Sequence, residues 1–381
     1  MEIELSDEQK LLRETVRRFA EEVVQPRAKE IDETGEFPRA FFDQAGELGL
    51  TGVAMPEEYG GAGMDTLAYC LVIEEVSRVC ATSGVILSVN NSLVCDPILK
   101  FGSEEQKREF LTPLASGKKL GCFALTEPGA GSDAAGLRST ARRDGDDYVL
   151  NGNKVFITNG TDADVALVFA SVDLAQKHKG ITAFLVPTDT PGYSHGMHEF
   201  KLGVNASGTT ELAFEDMRVP ARQRLGGDGE GFKIAMSTLD GGRIGIAAQA
   251  LGIAQGAFEE ALAYAQQREQ FGKHLSDFQA IQFYLADMAT EIDAARLLTW
   301  KAAWAKDGQK RFTLEAAHAK LFASEMAQRV TNKALQIHGG YGYTKEYNVE
   351  RYFRDARITE IYEGTSEIQK MVIADWVINR A

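Results

Sequence analysis

The stretch FALTEPGAGSDAAGLRSTARRDGDDYVLNG (residues 123–152) decides the fold. Within it, Gly129-Ala130-Gly131-Ser132-Asp133-Ala134 satisfies the Gly-x-Gly-x-x-Gly/Ala spacing of a dinucleotide fingerprint, whose glycines let backbone amides approach a pyrophosphate. That fingerprint belongs at the start of a helix. Here the continuation, residues 136–152, reads as strand, turn and strand, so a Rossmann unit is rejected. What remains is either a loop whose amides and hydroxyls hold phosphate oxygens or a plain Pro-Gly turn at a domain boundary.

Downstream, YVLNGNKVFITNG (148–160), DVALVFASV (164–172), ITAFLVP (181–187) and TTELAFEDMRVP (209–220) are short, rich in β-branched residues and separated by Gly, Asn and Asp turns. No helix of about 10–15 residues intervenes, which predicts a compact antiparallel β unit instead of a βαβ series. In KVFITNG (154–160) the alternation of a strand gives Phe156 and Thr158 one phase, a flat aromatic beside a hydroxyl. That suits a planar heterocycle, and it also suits a core pair.

Upstream, Ser6 and Gln9 form a capping-box pattern, and Leu11, Leu12, Val16, Phe19, Ala20 and Val23 follow at helical spacing, predicting a helix over 7–24. Further helical segments are expected at 38–49, 65–80, 84–100 and 103–115. After residues 226–236, helical periodicity returns. GRIGIAAQALGIAQGAFEEALAYAQQR (242–268) is apolar nearly all round and rich in small residues, as the centre of a bundle would be. Long helices are expected at 278–306, 313–337 and 366–379. The expected domains are 1–120 (helical), 121–232 (β) and 233–381 (helical).

At 381 residues the chain exceeds the size at which single cores stop growing, and its 44% hydrophobic and 25% charged residues can fill several. A formal net charge of -14 excludes broad nucleic-acid binding but not a small phosphate-bearing ligand. Cys70, Cys80, Cys95 and Cys122 have neither disulfide nor zinc-site spacing, and read as buried hydrophobes in a reducing compartment. No metal site is expected. With no basic-apolar leader and no apolar run near ~20 residues, a cytoplasmic protein with no membrane association is expected. Hydrolase, zincin and P-loop motifs are missing.

Near the C-terminus, RITEIYEGTSEIQ (357–369) is helical in texture except at Glu363 and Gly364. Ser366 and Gln369 repeat the capping-box spacing, so a helix should restart near Glu367 and leave Glu363-Gly364-Thr365 as a loop. A carboxylate beside apolar Ile361 and Tyr362 would have its proton affinity raised, as a base working near neutral pH requires, and free amides at the helix start would favour an anionic oxygen. A surface turn would show the same letters. Two other segments are similarly open: Arg268 and Lys273 in REQFGK (268–273) bind diphosphate or form a solvated helix end, and Gly339-Gly340 after His338 reads as a helix C-cap.

Taken together and in order, ALTEPGAGSD (124–133), FITNG (156–160), TLDGGRIGIAAQALGIA (238–254), REQFGK, QIHGGYGY (336–343) and RDARITEIYEGTSEIQ (354–369) resemble the acyl-CoA dehydrogenase family across essentially the whole chain, most closely its short-chain, butyryl-CoA-type members. The resemblance implies an α+β fold: an N-terminal all-α domain, a middle antiparallel β-barrel-like domain and a C-terminal four-helix bundle. It implies an FAD enzyme, a homotetramer, that converts an acyl-CoA to the trans-2-enoyl-CoA and passes electrons to electron-transferring flavoprotein. By position it assigns Phe123, Ala124, Leu125, Thr126, Gly131, Ser132, Phe156, Ile157 and Thr158 to FAD, and Thr365, Ser366 and Glu367 to further cofactor contacts. Arg268, Phe271, Gln279, Gln336, Ile337, His338, Gly339 and Gly340 would reach a neighbouring subunit's FAD. Ser132, Asp240, Gly241, Gly242, Arg243 and Gly364 would contact acyl-CoA, and Glu363 would be the base. Some branched- and long-chain relatives carry their base at the position of Gly242, which leaves Glu363 without a rival. Asn205 departs from a common arginine, and Asn90 and Asp96 stand where short-chain members often have His and Gly, which points to a branched, cyclic or polar acyl group as an alternative to butyryl. An oxygen-using acyl-CoA oxidase and a redox-inactive acyl-CoA-binding member of the fold are the competing readings.

Overall fold

The computed structural model describes residues 4–308 and 311–379. The N-terminal segment holds α1 (Asp7–Phe19), α2 (Ala28–Thr34), α3 (Arg39–Glu47), α4 (Thr66–Val79), α5 (Ala81–Ser88), α6 (Asp96–Phe101), α7 (Glu104–Gln106) and α8 (Thr112–Ala115). Ser6 starts α1 through the expected capping box, each partner's backbone N–H donating to the other's side chain at 3.1 Å. The helices predicted over 7–24 and 84–100 are each interrupted by a wider π turn, at Ala20–Val24 and Val89–Cys95. Every residue of α4 is buried, including Glu74, Glu75 and Arg78. Arg78 answers Glu75 at 3.3 Å and Glu259 at 2.9 Å, while Arg296 answers Glu74 at 3.0 Å, so the charges inside this layer are paired.

The middle sheet comprises β1 (Gly121–Ala124), β2 (Thr140–Asp144), β3 (Asp147–Ile157), β4 (Val165–Ser171), β5 (Ile181–Pro187), β6 (Tyr193–His195), β7 (Thr210–Pro220) and β8 (Arg224–Leu225), in the order β6-β7-β3-β2-β4-β5-β8 with β1 on β4. The sheet is mixed: β1 runs parallel to β4, and β2 touches β4 in parallel at Thr140 and Ser171. The purely antiparallel expectation fails there because β1 enters from the helical segment and β2 follows a loop, so neither direction is set by a hairpin. Strand β4 is buried on both faces. Val165, Leu167 and Phe169 face a core shared with Ile98, Leu111 and Ile234, while Ala166, Val168 and Ala170 face the sheet's own core with Tyr148, Phe184 and Phe214.

The remaining helices are α9 (Gly231–Gln267), α10 (Gln279–Asp307), α11 (Thr313–His338), α12 (Val349–Ile358) and α13 (Ser366–Asn379). Small residues let α9 pass close to α4: a Cβ at Gly252 would lie 2.3 Å from the Glu74 carbonyl, and one at Gly256 would lie 2.0 Å from that of Arg78. All four cysteines are free and buried. Among the described residues no helix is long and apolar enough to cross a membrane, and no cluster of His, Cys, Asp and Glu could hold a metal ion.

Candidate active site

A cavity of about 700 Å³ opens where the sheet meets α5, α9 and the turn between α12 and α13. It gathers Phe123, Leu125, Thr126, Gly131, Ser132, Phe156, Ile157, Thr158, Arg243, Glu363, Gly364 and Thr365, residues scattered over two-thirds of the chain. Ala124 lies behind it in the sheet core.

Glu363 follows two turn hydrogen bonds to the Ile358 carbonyl, from Ile361 at 2.9 Å and Tyr362 at 3.2 Å, that end α12. Its φ is +52°, in the left-handed region that a non-glycine residue occupies at a cost of about 1–3 kcal/mol. The kink is held from below, since Gln369 Nε2 donates to the Glu363 carbonyl at 3.3 Å and to the Gly364 carbonyl at 2.9 Å. Gly364 is required by its own φ of +90° and because a Cβ there would come within 2.6 Å of Gln369 Nε2. Helix α13 then begins at Ser366. Its cap is Thr365, whose Oγ1 accepts from the Ile368 amide at 3.4 Å, one residue before the Ser366 cap that the sequence suggested.

The carboxylate lies over α9. A Cβ on Gly242 would sit 1.9 Å from Glu363 Oε2 and 2.7 Å from Leu93 Cδ2, so a side chain there would displace the acid or Leu93. Oε2 is closed to water and has no hydrogen-bond partner among the described residues. Desolvation pushes its pKa from the ordinary 4.5 to about 7, against the pull of the Lys320 and Arg243 charges. The amides of Glu363 and Gly364 have no acceptor among the described residues, leaving two donors beside the carboxylate. Arg243 is tied to Asp240 at 2.6 Å, and Asp240 also accepts from Thr313 at 2.6 Å. Next to the acid, the Tyr362 hydroxyl bonds Gln249, whose Nε2 donates to the Ala81 carbonyl at 3.0 Å.

Beyond Glu363 the wall is apolar: Val85, Val89 and Leu93 pack with Phe123 and Tyr362. The polar substitutions noted in this segment do not reach it. Asn90 is fully buried, donating to the Thr51 and Leu114 carbonyls at 2.9 and 3.1 Å and accepting from the Gly121 amide at 3.0 Å. Asp96 is held by Lys100 at 2.7 Å and Lys306 at 3.0 Å. Asn205 turns to α2, donating to the Asp32 carbonyl and carboxylate at 3.1 and 2.9 Å. All three are structural ties, and Asn90 and Asp96 bring no polar group to the acyl end of the cavity.

On the sheet side, Phe156 and Thr158 both line the cavity, but not through strand alternation. The β3–β7 register slips between Lys154 and Ile157, and Phe156 takes a φ of +58° that leaves its ring 67% exposed. Opposite it, a Cβ at Gly131 would meet nothing within 4 Å, so the loop backbone is open to a ligand. Glu127 shapes that loop by accepting from the Arg138 and Ser139 amides and pairing with the buried Lys154 at 2.7 Å.

Family models for the N-terminal, middle and C-terminal domains of acyl-CoA dehydrogenase match residues 6–118, 122–217 and 229–378. The chain belongs to the acyl-CoA dehydrogenase family. It is 56% identical to the mitochondrial short-chain specific acyl-CoA dehydrogenase of Bos taurus, covering 98% of this chain and 90% of that protein. The butyryl-CoA dehydrogenase structure from Megasphaera elsdenii superposes with a TM-score of 0.98 at 48% identity, both chains covered in full. A chain solved in work on the electron transferring flavoprotein of Acidaminococcus fermentans gives 0.99 at 49% identity, also with full coverage of both. The protein is thus an enzyme with the acyl-CoA dehydrogenase fold.

Not every residue matched to this family's signatures lies on the cavity. Arg268, Phe271, Gln279, Gln336, Ile337, His338, Gly339 and Gly340 are absent from its lining and gather at the far end of the C-terminal helices. There Arg268 lies over the Tyr341 ring at 5.5 Å, and Gly339, with a φ of +60°, ends α11 as its C-cap position suggested. His338 is packed, stacked on Tyr264 at 4.2 Å with Nδ1 on the Ala334 carbonyl. Phe271 is 94% exposed at a φ of +55°, an aromatic held away from its own core. Asp240, Gly241, Ser366 and Glu367 also lie off the lining, beside residues that form it. The sequence reading missed Lys320 and the Glu127–Lys154 pair. The signal was present for Lys320, which interrupts the apolar face Ala316, Ala319, Ala323, Met326, Ala327 of α11.

Proposed function

We propose that the protein catalyses FAD-dependent α,β-dehydrogenation of a short-chain acyl-CoA, with Glu363 as the base. The carrying observation is Glu363 itself: a desolvated carboxylate with an unpartnered oxygen, held over Gly242 on a left-handed kink at an apolar wall. The residues fit FAD. Thr126, Ser132 and Thr158 supply hydroxyls, Gly131 an open backbone, and Phe156 an exposed ring on one cavity. Phe123 to Ser132 and Phe156 to Thr158 would hold the flavin and its diphosphate, with Thr365, Ser366 and Glu367 adding contacts. Bound there, the flavin would supply the acceptor for the hydride leaving the β-carbon.

The chain's own groups do the rest. Glu363 Oε2 takes the α-proton, and its raised proton affinity makes it a stronger base than an exposed carboxylate while still ionised above about pH 7. The free Glu363 and Gly364 amides stabilise negative charge on the thioester oxygen as that proton leaves. Asp240 to Arg243 with Ser132 and Gly364 contact the acyl-CoA, and Val85, Val89 and Leu93 exclude water from the acyl end. The likeness to butyryl-CoA dehydrogenase supports a butyryl-sized group. Arg268, Phe271, Gln279 and residues 336–340 would reach a neighbouring subunit's FAD in a homotetramer, with electron-transferring flavoprotein as acceptor.

The test is the flavin absorbance near about 450 nm before and after anaerobic addition of butyryl-CoA. Bleaching by the wild type, with Glu363→Gln binding the thioester without bleaching, is the expected result. No flavin peak after reconstitution with FAD, or equal bleaching by the variant, would overturn the reading.

A further inference from the structure

Lys320 sits on α11 with its side chain wholly buried. A buried ammonium is costly unless hydrogen bonds or opposite charges answer it. Among the described residues it makes one hydrogen bond, from Nζ to the Gly364 carbonyl at 2.7 Å, and no ion pair. That carbonyl belongs to the Gly364–Thr365 peptide, one residue beyond Glu363, and Gln369 also holds it.

The other groups around the acid are already accounted for. From α9, Arg243 faces Glu363 but is neutralised by Asp240 at 2.6 Å. From α4, the Tyr69 phenol is kept protonated by burial, as is Tyr362 in the loop. Glu360 pairs with Arg357, and Glu367 on α13 is exposed and bonded to Thr365. This leaves one buried ammonium without a carboxylate in contact and one desolvated carboxylate without a cation in contact, with the ammonium bonded to the carbonyl of the residue that follows the acid. Contact between them would place a donor on the oxygen that must accept a proton. Separation lets the charge act while the oxygen stays free.

We propose that Lys320 is a positioning residue for the base: it holds the Gly364 carbonyl so that Glu363 keeps its kink, and its charge, out of contact with the acid, favours the ionised carboxylate. This rests on Glu363 being the base. The experiment compares wild-type holoenzyme with Lys320→Met, Lys320→Arg and Glu363→Gln, following the rate of anaerobic bleaching by butyryl-CoA against pH and, separately, the thermal midpoint against pH.

In Lys320→Met the acid limb of the bleaching profile should move up by about one pH unit, so that bleaching is about 10-fold slower near pH 6 and close to wild type near pH 9. Lys320→Arg should keep the wild-type limb. The thermal midpoint supplies a readout without turnover. Folded Glu363 keeps its proton up to about pH 7 whereas the unfolded chain releases it near 4.5, so its contribution to stability falls as pH rises through that window. In Lys320→Met this fall should extend to higher pH. A limb that stays put, or bleaching slowed by one factor at every pH, would make Lys320 merely structural and overturn the proposal. Undiminished bleaching in Glu363→Gln would instead overturn the base assignment. If Lys320→Met does not accumulate as holoenzyme, Lys320→Gln retains a donor for the Gly364 carbonyl without the charge, and the same shift or its absence decides.

Discussion

Two loops close on the cavity, each resting on a buried lysine, and they differ in how their polar groups are satisfied. In the loop from Leu125 to Ser139, Lys154 donates to the Leu125 carbonyl at 3.1 Å and to Glu127 at 2.7 Å, and Glu127 takes two backbone amides as well. The charges close on each other, with Ser139 Oγ the loop's one buried side-chain atom lacking a hydrogen-bond partner among the described residues. In the loop from Tyr362 to Ser366, Lys320 reaches only a carbonyl, and Glu363 Oε2 and Ser366 Oγ lack partners among the described residues, as do Gln369 Oε1 on α13 and Arg243 Nε on α9. Such orphaned buried atoms are destabilising, and their larger number sets this loop apart, as the proposed role of Glu363 would require.

The comparison breaks first at Glu363. Its replacement by Gln should lower the bleaching rate by about 10²–10⁴-fold with little loss of stability, because the loop does not depend on that carboxylate for a hydrogen bond. A large drop in the thermal midpoint would show that the two loops are alike after all. The opposite behaviour is expected of Lys154→Met, which strands the buried Glu127 carboxylate and should cost roughly 3–5 kcal/mol in denaturant unfolding, with much of it restored by adding Glu127→Gln. Gly242→Ala sharpens the contrast by displacing the Glu363 carboxylate. A bleaching rate lower by about 100-fold is expected, with unfolding far less affected than in Lys154→Met. The smallest effect is at the start of α13, where Thr365→Ala should cost about 1 kcal/mol and Ser366→Ala less, measured in the same unfolding experiment.

Elements with a period were legible in the sequence. The helix, sheet, helix order follows from a switch between helical and alternating patterns, and the Gly145 turn between β2 and β3 from its own residues. The loop at 363–365 was legible from the interruption at Glu363-Gly364. The positive φ of Phe156 and Glu363 was not, since neither residue type favours it, and only the hydrogen bonds and packing around them impose it. The same holds for Asn90 and Asp96, whose letters look like pocket chemistry until their partners Thr51, Leu114, Lys100 and Lys306 are seen. Neither the parallel pairing of β1 with β4 nor the close fit of Gly242 under Glu363 leaves a local trace, because both join segments distant in sequence.

That last fit constrains how such a site can change over evolutionary time. With 1.9 Å between a Cβ at 242 and the acid oxygen, the carboxylates of the two positions compete for one volume. If Glu363 is the base, as proposed, a second acid at 242 would have to push the first aside, so neither position can change without disturbing the other. Substitutions at 242 and 363 are therefore expected to be non-additive, each altering what the other position can hold.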